Sequence, residues 1–513
     1  MLAREQEPVG RMECLARCAL SSLVGLLLAV APAGAAENYD YGTNAAVAWG
    51  QGIDGRGGTV AVIDTGLLDH NWTRGRTVSG LCFSPAIPDL LGSVCADGTN
   101  LMIGEGAGFV RLPGSVSGRS LYVWNHGTQV AGAAVGASKT WRAFPTGARG
   151  IAPGAWVLPA GVASLELSSQ EPRATTDGVA AAVSQVAAEH ASHMHNTVAI
   201  VIPAEHAIAN FEGARFRGHC DHEVIGTPLE RLAEQINGAI NDGISVVVPA
   251  GNHGQDPESR DMLGFPACLS GVITVGALER DTLKAAPFSP VAQGVDVMAP
   301  GTGITTPVAL LPKGSSTVDP ESRGTSYSAP IVAGAIALLK QQQPELTPAQ
   351  VKARLTGTGP LVRLDGADNP TVSIKRHALR IDKLLGIADP KIPGWPLDRG
   401  CFELGLTQLD PKQPGKRFGY VRLRCAPSKR RPDRLVVTVD GRGVAAVSPA
   451  QRTVPLEKQS HYAAHLFTVG VEVDVQPGEE YRVCALYYRT ASRDADNDRL
   501  GTATVCEDFM VPQ

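Results

Sequence analysis

Three short segments of the chain supply a carboxylate, an imidazole and a hydroxyl, the groups that together activate a serine nucleophile. Asp64 ends the run VAVID, His126 begins HGT, and Ser326 lies within GTSYSAP. A serine hydroxyl attacks efficiently when a neutral imidazole accepts its proton, and a carboxylate holds that imidazole in the required tautomer. The chain order Asp, His, Ser is one of the three common orders of this triad. We therefore predict acyl-transfer chemistry centred on Ser326.

A fourth segment, PAGNHG, follows an apolar run and contains Asn252. Its side-chain amide could donate to an oxyanion together with the backbone N–H of Ser326. Taken singly, each residue has a simpler explanation, because Asp and Asn are common turn residues and a Ser at a helix start is commonly a cap. The joint occurrence of all four residues favours catalysis.

These segments resemble the signatures of the subtilase family of serine peptidases, and the resemblance extends over residues 40–385. It implies an α/β fold, a subtilisin-like doubly wound parallel sheet with helices on both faces. It also implies that Asp64, His126 and Ser326 form the catalytic triad and that Asn252 contributes to the oxyanion hole.

One segment departs from the family pattern. Where subtilases usually carry a Ser-Leu-Gly-like run at the end of a strand, this chain has VIPAEH, in which Pro203 removes a backbone donor. By the resemblance, the residues expected to contact substrate are Ala250, Gly251 and Ala204. Because of the departure at Pro203, substrate preference is not carried over from the family.

Alternating apolar runs and helical stripes must position these residues. Residues 59–63, 197–202 and 245–248 have the nearly unbroken apolar character of buried parallel strands. A one-faced apolar stripe over 229–240 indicates a helix, and Thr347 begins a capping box for another. Strands that alternate with helices predict a parallel sheet covered on both faces.

Three further helix starts are predicted. His126 is expected to precede a helix of small residues, and Ser326 to precede a helix over 329–339. Asp177 is placed to cap the helical stripe over 179–186. A helix N-terminus beside Ser326 would stabilise negative charge that develops there.

The bulk composition excludes some classes of function. With 513 residues, 43% of them hydrophobic and 19% charged, the chain can bury a large core and lacks the composition of a disordered protein. Its net charge of -4 provides no basic surface field for nucleic acid. We therefore expect protein or peptide substrates, no nucleic-acid partner, and a monomer.

The N-terminal segment 1–36 has the pattern of a secretory signal. Arg11 and Arg17 precede an apolar run that ends in small residues. The run is too short for a stable membrane span, and no later segment approaches the required length of about 18 apolar residues. We expect an exported protein, periplasmic or extracellular, without a membrane span after signal removal.

Cysteine usage agrees with export. Two cysteines, Cys14 and Cys18, fall within the predicted signal, which leaves eight, an even number that favours disulfides over metal ligation. We expect Cys82 to pair with Cys95 and Cys220 with Cys268. Pairing among the last four is left open: Cys401, Cys425, Cys484 and Cys506.

A proline-rich linker over 388–400 separates the first domain from residues 401–513, where β-forming runs predict a small all-β, sandwich-like domain.

In this domain Asp494, Asp496 and Asp498 offer alternating carboxylates that would suit calcium. Arg499 stands where such loops usually place glycine, so a solvated acidic hairpin is the alternative. No cofactor is required by the predicted chemistry.

We predict that residues 37–387 form a peptidase domain and that the protein is an exported serine endopeptidase. Two alternatives remain open at this stage. One is a catalytically silent relative that binds peptides, and the other is a transferase or ligase in which an amine resolves the acyl-enzyme. Casein digestion distinguishes the first alternative, and mass spectrometry of products the second.

Overall fold

The structure is a computed structural model that describes most of residues 41–387 and seven strands between residues 402 and 510. The ranges left out of the first part are 138–149, 204–213, 281, 311–314 and 365–373. Several predicted features therefore lie outside the described residues: the signal segment, the 388–400 linker, Ala204, and the calcium candidates Asp494, Asp496 and Asp498.

The helices of the first part are α1 (Ala45–Gly50), α2 (Gly118–Trp124), α3 (His126–Val135), α4 (Thr176–Ala191), α5 (Glu230–Asn241), α6 (Thr325–Gln342), α7 (Pro348–Thr356) and α8 (Ile381–Leu384). Its strands are β1 (Thr59–Asp64), β2 (Gly80–Phe83), β3 (Leu91–Gly92), β4 (Leu101–Gly104), β5 (Trp156–Gly161), β6 (Ala163–Glu166), β7 (Pro172–Ala174), β8 (Thr197–Val201), β9 (Arg215–Phe216), β10 (Ser245–Pro249), β11 (Leu263–Gly264), β12 (Ile273–Leu278), β13 (Val297–Pro300), β14 (Ile304–Leu310), β15 (Ser315–Ser322), β16 (Leu361–Arg363) and β17 (Lys375–Ala378). No helix among these residues is long and apolar enough to cross a membrane.

A ten-stranded sheet forms the centre of this part, in the order β16-β17-β13-β12-β10-β8-β1-β5-β2-β4. Its eight inner strands are parallel to one another, while β4 and β16 run antiparallel at the two edges. The predicted α/β architecture is confirmed, with antiparallel edge strands added to it. Because β1, β8 and β10 are parallel neighbours, their carboxyl ends lie along one edge of the sheet.

Every residue of β1 is buried. Because successive side chains of a strand point to opposite faces of the sheet, both faces must be covered at β1. Val60 and Val62 belong to a core cluster that also contains residues of α3 and α6. Ala61 and Ile63 belong to a second cluster, with residues of α4 and α5. Helices therefore cover both faces, and this double burial explains why the strand reads as an unbroken apolar run.

Most local predictions are confirmed. The three predicted buried strands are β1, β8 and β10, and the stripe over 229–240 forms α5. At the start of α7 the Gln350 N–H donates to Thr347 Oγ1 at 3.3 Å, and the Thr347 N–H donates to Gln350 Oε1 at 2.8 Å. This reciprocal pair is the predicted capping box. The disulfides Cys82–Cys95 and Cys220–Cys268 are also confirmed.

The predicted cap of α4 was wrong. Thr175 is the cap, since its hydroxyl accepts the Gly178 N–H at 3.1 Å. Asp177 instead lies in the first turn and pairs with Arg231 at 3.0 Å. The helix begins earlier than its apolar stripe, so the nearest acidic residue to the stripe is already helical.

The expected starts of the two site helices were also wrong. The helix α3 begins at His126 itself, and α6 begins at Thr325, so Ser326 lies within the first turn instead of before it. Pro330 lies inside α6. A proline there lacks the N–H that would bond the Ser326 carbonyl, and its ring crowds that carbonyl, yet the helix continues past it to Gln342. The proline therefore does not mark the helix start.

Seven strands are described in the C-terminal region, and they are arranged in two antiparallel sheets. The strands are β18 (Phe402–Leu406), β19 (Lys416–Leu423), β20 (Arg434–Val439), β21 (Arg442–Val447), β22 (Thr468–Asp474), β23 (Glu480–Tyr488) and β24 (Ala503–Met510). The sheet orders are β18-β19-β22 and β21-β20-β23-β24. The register places Cys484 opposite Cys506 on neighbouring strands. A sandwich arrangement of the two sheets stays a prediction.

His70 is a fully buried histidine that joins the loop after β1 to the β14–β15 hairpin. Its Nε2 lies 2.9 Å from the Thr317 carbonyl, and its Nδ1 lies 3.1 Å from the Trp72 N–H. A carbonyl can only accept and a backbone N–H can only donate, so Nε2 carries the proton and the ring is neutral. Burial lowers the pKa of His70 to about 4, although the Thr317 bond and the charge of Asp69 oppose this shift.

We predict that His70 makes the fold acid-sensitive. Its pKa lies below the usual value of about 6.5 in the folded state, so its contribution to stability is complete above that pH and is lost as pH falls towards 4. The loss should reach roughly 3 kcal/mol. Urea unfolding of wild type and His70→Gln across this pH range measures it.

His222→Gln provides the matched comparison, since it makes the same replacement at an exposed histidine. An equally steep pH dependence in His70→Gln and wild type would contradict the assignment.

Candidate active site

Asp64 lies at the carboxyl end of β1 with both carboxylate oxygens engaged. Oδ2 lies 2.8 Å from His126 Nδ1, and Oδ1 accepts the Thr65 N–H at 2.6 Å. The carboxylate is almost completely buried. Since a carboxylate only accepts, Nδ1 of His126 is the donor, and in the neutral ring Nε2 carries the lone pair. This is the tautomer that can accept a proton.

Thr65 holds the first turn of α3 beside Asp64. Its Oγ1 donates to the Trp124 carbonyl at 3.1 Å and accepts the Gly127 N–H at 3.1 Å. The approach depends on Gly127, because a Cβ at that position would lie 2.4 Å from the carbonyl oxygen of Gly66. Any larger residue would therefore push His126 away from Asp64.

The pKa of His126 is raised above its ordinary value of 6.5 by a balance of opposing effects. Burial is the largest single effect and disfavours the imidazolium, which alone would lower the pKa. The charge of Asp64 and its hydrogen bond both raise the pKa of His126, and their combined effect exceeds that of burial. The pair is therefore suited to hold a proton that the imidazole has received.

Ser326 is the second residue of α6, at the end of the helix where the partial charge is positive. The preceding turn depends on Gly324, which has a φ of 145° that L side chains rarely adopt. A Cβ at Gly324 would lie 3.6 Å from both Ser326 Oγ and Asn252 Nδ2. The hydroxyl and the amide therefore border the same small space.

Asn252 is oriented by the residue before the serine. Its Oδ1 accepts the Thr325 N–H at 2.9 Å. It also lies 3.2 Å from the Thr325 hydroxyl, whose one proton it shares with the Gly251 carbonyl at 3.1 Å. These bonds fix the oxygen end of the amide and leave Nδ2 as a donor towards the space beside Ser326. Among the described residues the backbone N–H of Ser326 also has no partner. Two donors are thus available where an oxyanion could form.

Tyr327 connects the serine helix to the histidine helix. Its ring lies 5.8 Å from the His126 ring, centroid to centroid, and its hydroxyl donates to Gln129 Oε1 at 3.0 Å. The hydrogen bonds of the described residues include none between Ser326 Oγ and His126. Catalytic hydrogen bonds often form fully only with substrate present. The contacts of Tyr327 therefore place the start of the serine helix beside the start of the histidine helix.

The two described residues of the predicted substrate-binding set have their N–H groups occupied. The Ala250 N–H donates to the Val275 carbonyl at 2.9 Å, and the Gly251 N–H donates to Thr325 Oγ1 at 3.2 Å. These bonds hold the segment that carries Asn252.

Sequence reasoning missed the residues that hold this site in place. Thr65 and Thr325 lie next to motif residues, and Tyr327 follows the serine, so adjacency was the available signal for them. Asn125 lies directly before His126 but bonds to Ala309, a contact that no local pattern indicates.

Metal ligation finds no support in the part of the chain that the structure describes, which contains no group of three or more His, Cys, Asp or Glu residues able to hold an ion. The acidic candidates in the C-terminal region lie outside that part, so calcium stays a prediction.

Comparison with known proteins gives one family. The model described as the subtilase family matches residues 55–387. Subtilisin DY from Bacillus licheniformis is 37% identical over 127 residues, which cover 25% of this chain and 43% of the relative. Alkaline elastase YaB from Bacillus sp. (strain YaB) is 28% identical over 325 residues, which cover 63% of this chain and 65% of the relative. The chain thus spans less than two thirds of either relative.

Among solved structures, one of proteases from Pseudoalteromonas arctica PAMC 21717 aligns with a TM-score of 0.49 and 22% identity, covering 67% of this chain and 93% of that chain.

We predict that the charge of Asp64 sets the titration of His126. Histidine C2–H resonances followed by NMR should show His126 titrating above pH 6.5 in wild type, because the carboxylate favours the imidazolium. In Asp64→Asn this charge is lost while burial remains, so the pKa of His126 should fall below its wild-type value. An unchanged His126 titration in Asp64→Asn would contradict the assigned pair.

Proposed function

This chain belongs to the subtilase family of serine peptidases, and we propose that it is an exported endopeptidase that hydrolyses peptide bonds through an acyl-enzyme on Ser326. The observation that carries the proposal is the 2.8 Å bond between Asp64 Oδ2 and His126 Nδ1. The proposed nucleophile, Ser326, lies in the first turn of the helix α6. This bond leaves His126 Nε2 able to act as a base.

In the proposed reaction, His126 Nε2 takes the proton of Ser326 as Oγ attacks the carbonyl carbon of the scissile bond. Negative charge then develops on the carbonyl oxygen, where Asn252 Nδ2 and the Ser326 N–H donate hydrogen bonds. Asp64 stabilises the imidazolium, which passes its proton to the leaving amine. A water molecule activated by the same histidine then hydrolyses the ester and restores Ser326.

Substrates are proposed to be proteins or peptides that bind beside the segment of Ala250 and Gly251, with Ala204 as the third predicted contact. Pro203 lacks the N–H that an extended substrate would use at this position. We therefore propose fewer backbone contacts on that side than the family pattern provides.

Export is proposed from the signal-like segment 1–36 and is supported by the disulfides Cys82–Cys95 and Cys220–Cys268, which persist in oxidising compartments. The proposed organisation is a monomer with a peptidase domain over 37–387 and a β domain over 401–513. The reaction as proposed uses no cofactor.

A peptide-binding protein without catalysis is the second candidate, and Pro203 is the observation that favours it. The bond between Asp64 and His126 favours catalysis instead, because peptide binding alone needs no oriented base. Casein digestion by the purified protein separates these candidates.

We predict that a fluorophosphonate probe labels the wild-type protein at Ser326 and that Ser326→Ala is not labelled. Reaction requires the activated hydroxyl, and the variant keeps the rest of the cleft. Labelling is measured by intact mass and peptide mapping. Ser328→Ala is the control, because Ser328 lies two residues further along the same helix and is fully buried. A folded wild type that neither reacts nor digests casein would overturn the proposed function.

We also predict that Asn252→Ala lowers kcat by about 10²- to 10³-fold with little change in KM, because its amide acts on the oxyanion and not on the bound substrate. Steady-state hydrolysis of a chromogenic peptide measures both constants. Asn196→Ala is the matched control, since its Nδ2 donates to the Gly57 carbonyl at 2.8 Å at the amino end of β8, away from the site. Equal kcat values in the two variants would exclude Asn252 from the oxyanion hole.

A further inference from the structure

We propose that Asn125 is a positioning residue that holds the histidine helix α3 against the β14–β15 hairpin leading to the nucleophile. The inference rests on the proposed peptidase function and adds to it a residue outside the triad and the oxyanion hole. Asn125 touches neither substrate nor the reacting atoms; its effect would pass through His126 and Ser326.

The side chain of Asn125 pairs with the backbone of Ala309 as a neighbouring strand would. The Ala309 N–H donates to Asn125 Oδ1 at 2.7 Å, and Asn125 Nδ2 donates to the Ala309 carbonyl at 3.0 Å. A second Nδ2 bond reaches the Leu121 carbonyl at 2.9 Å. The residue is fully buried, so no water replaces these bonds if they are lost.

One end of this link is the base. Asn125 directly precedes His126, and its own carbonyl accepts the Gln129 N–H at 2.9 Å in the first turn of α3. The backbone of Asn125 is therefore part of the turn that aims the His126 ring. A shift of its side chain would rotate that turn relative to Asp64.

The other end of the link leads to the nucleophile. Ala309 lies in β14, which pairs with β15, and the last residue of β15, Ser322, is four positions before Ser326. A second tie crosses the same interface, since the Tyr122 hydroxyl donates to Asp319 Oδ2 at 2.9 Å. Tyr122 is 44% exposed, so water competes for its bond, and the buried Asn125 pair is the stronger restraint.

The position of this link explains why it would matter for rate. Asp64 fixes the tilt of the imidazole through Nδ1, but the distance from Nε2 to Ser326 Oγ depends on how α3 sits against α6 and its leading hairpin. A displacement of about 1 Å in reacting groups can cost about a hundredfold in rate. Asn125 spans this interface, joining residues 184 positions apart in the chain.

Asn125→Ala tests the proposal against a control with the same kind of bonds elsewhere. Gln341 Oε1 accepts the Asp54 and Gly55 N–H groups at 2.9 and 2.7 Å, and its Nε2 donates to the Gly52 carbonyl at 3.0 Å, far along α6 from Ser326. Both variants remove a side-chain amide that clamps backbone, so both should lower Tm.

Three quantities separate positioning from plain stabilisation: kcat per titrated active site, KM for a chromogenic peptide, and the second-order rate of phosphonylation by a small fluorophosphonate. In Asn125→Ala we expect kcat and the phosphonylation rate to fall together by about tenfold to a hundredfold, with KM within about twofold of wild type. Gln341→Ala should leave all three unchanged.

If Asn125→Ala does not fold, Asn125→Asp replaces it, since Asp keeps an acceptor for the Ala309 N–H and loses both donors. It is measured at a pH well above the pKa of His126, where the imidazole is neutral. Full kcat per titrated site in a folded variant would overturn the positioning role and leave the peptidase intact. A wild type without Ser326-dependent hydrolysis would overturn the proposed function itself.

Discussion

The other residues of the site are arranged around one hydrogen bond, from Nδ1 of His126 to Asp64 Oδ2 at 2.8 Å. It fixes the ring tautomer and raises the pKa of the imidazole against the effect of burial. It also requires a strand end and a helix start to meet closely. Gly127 is the residue that permits this approach, since a Cβ there would lie 2.4 Å from the Gly66 carbonyl oxygen.

The parallel sheet makes that meeting possible. The strands β1, β8 and β10 are parallel neighbours, so Asp64 and the segment carrying Asn252 leave the sheet at the same edge. The helices α3 and α6 pack in one core cluster on one face, and this brings His126 and Ser326 to that edge from the side. Packing of apolar side chains in the core therefore fixes the positions of the strands and helices that carry the site. The hydrogen bonds of the site then orient the individual side chains.

The sequence allowed the four motif residues and the sheet to be predicted, because their signals are local. Unbroken apolar runs mark strands buried on both faces, and short motifs mark the residues proposed for catalysis. Helix starts were less predictable: Pro330 fits inside α6, and Thr175 competes with Asp177 as a cap. Contacts between distant segments left no local signal. The bond of Asn125 to Ala309 and that of Tyr327 to Gln129 depend on how two helices and a hairpin pack.

The central claim is that Asp64, His126, Ser326 and Asn252 act on one carbonyl group in one cleft. A crystal structure of the protein after reaction with a small fluorophosphonate tests it most directly. We expect phosphorus on Ser326 Oγ, its oxygen accepting from Asn252 Nδ2 and the Ser326 N–H, and His126 still bonded to Asp64. An adduct on another residue, or one whose oxygen lies away from Asn252 with His126 separated from Asp64, would contradict the account.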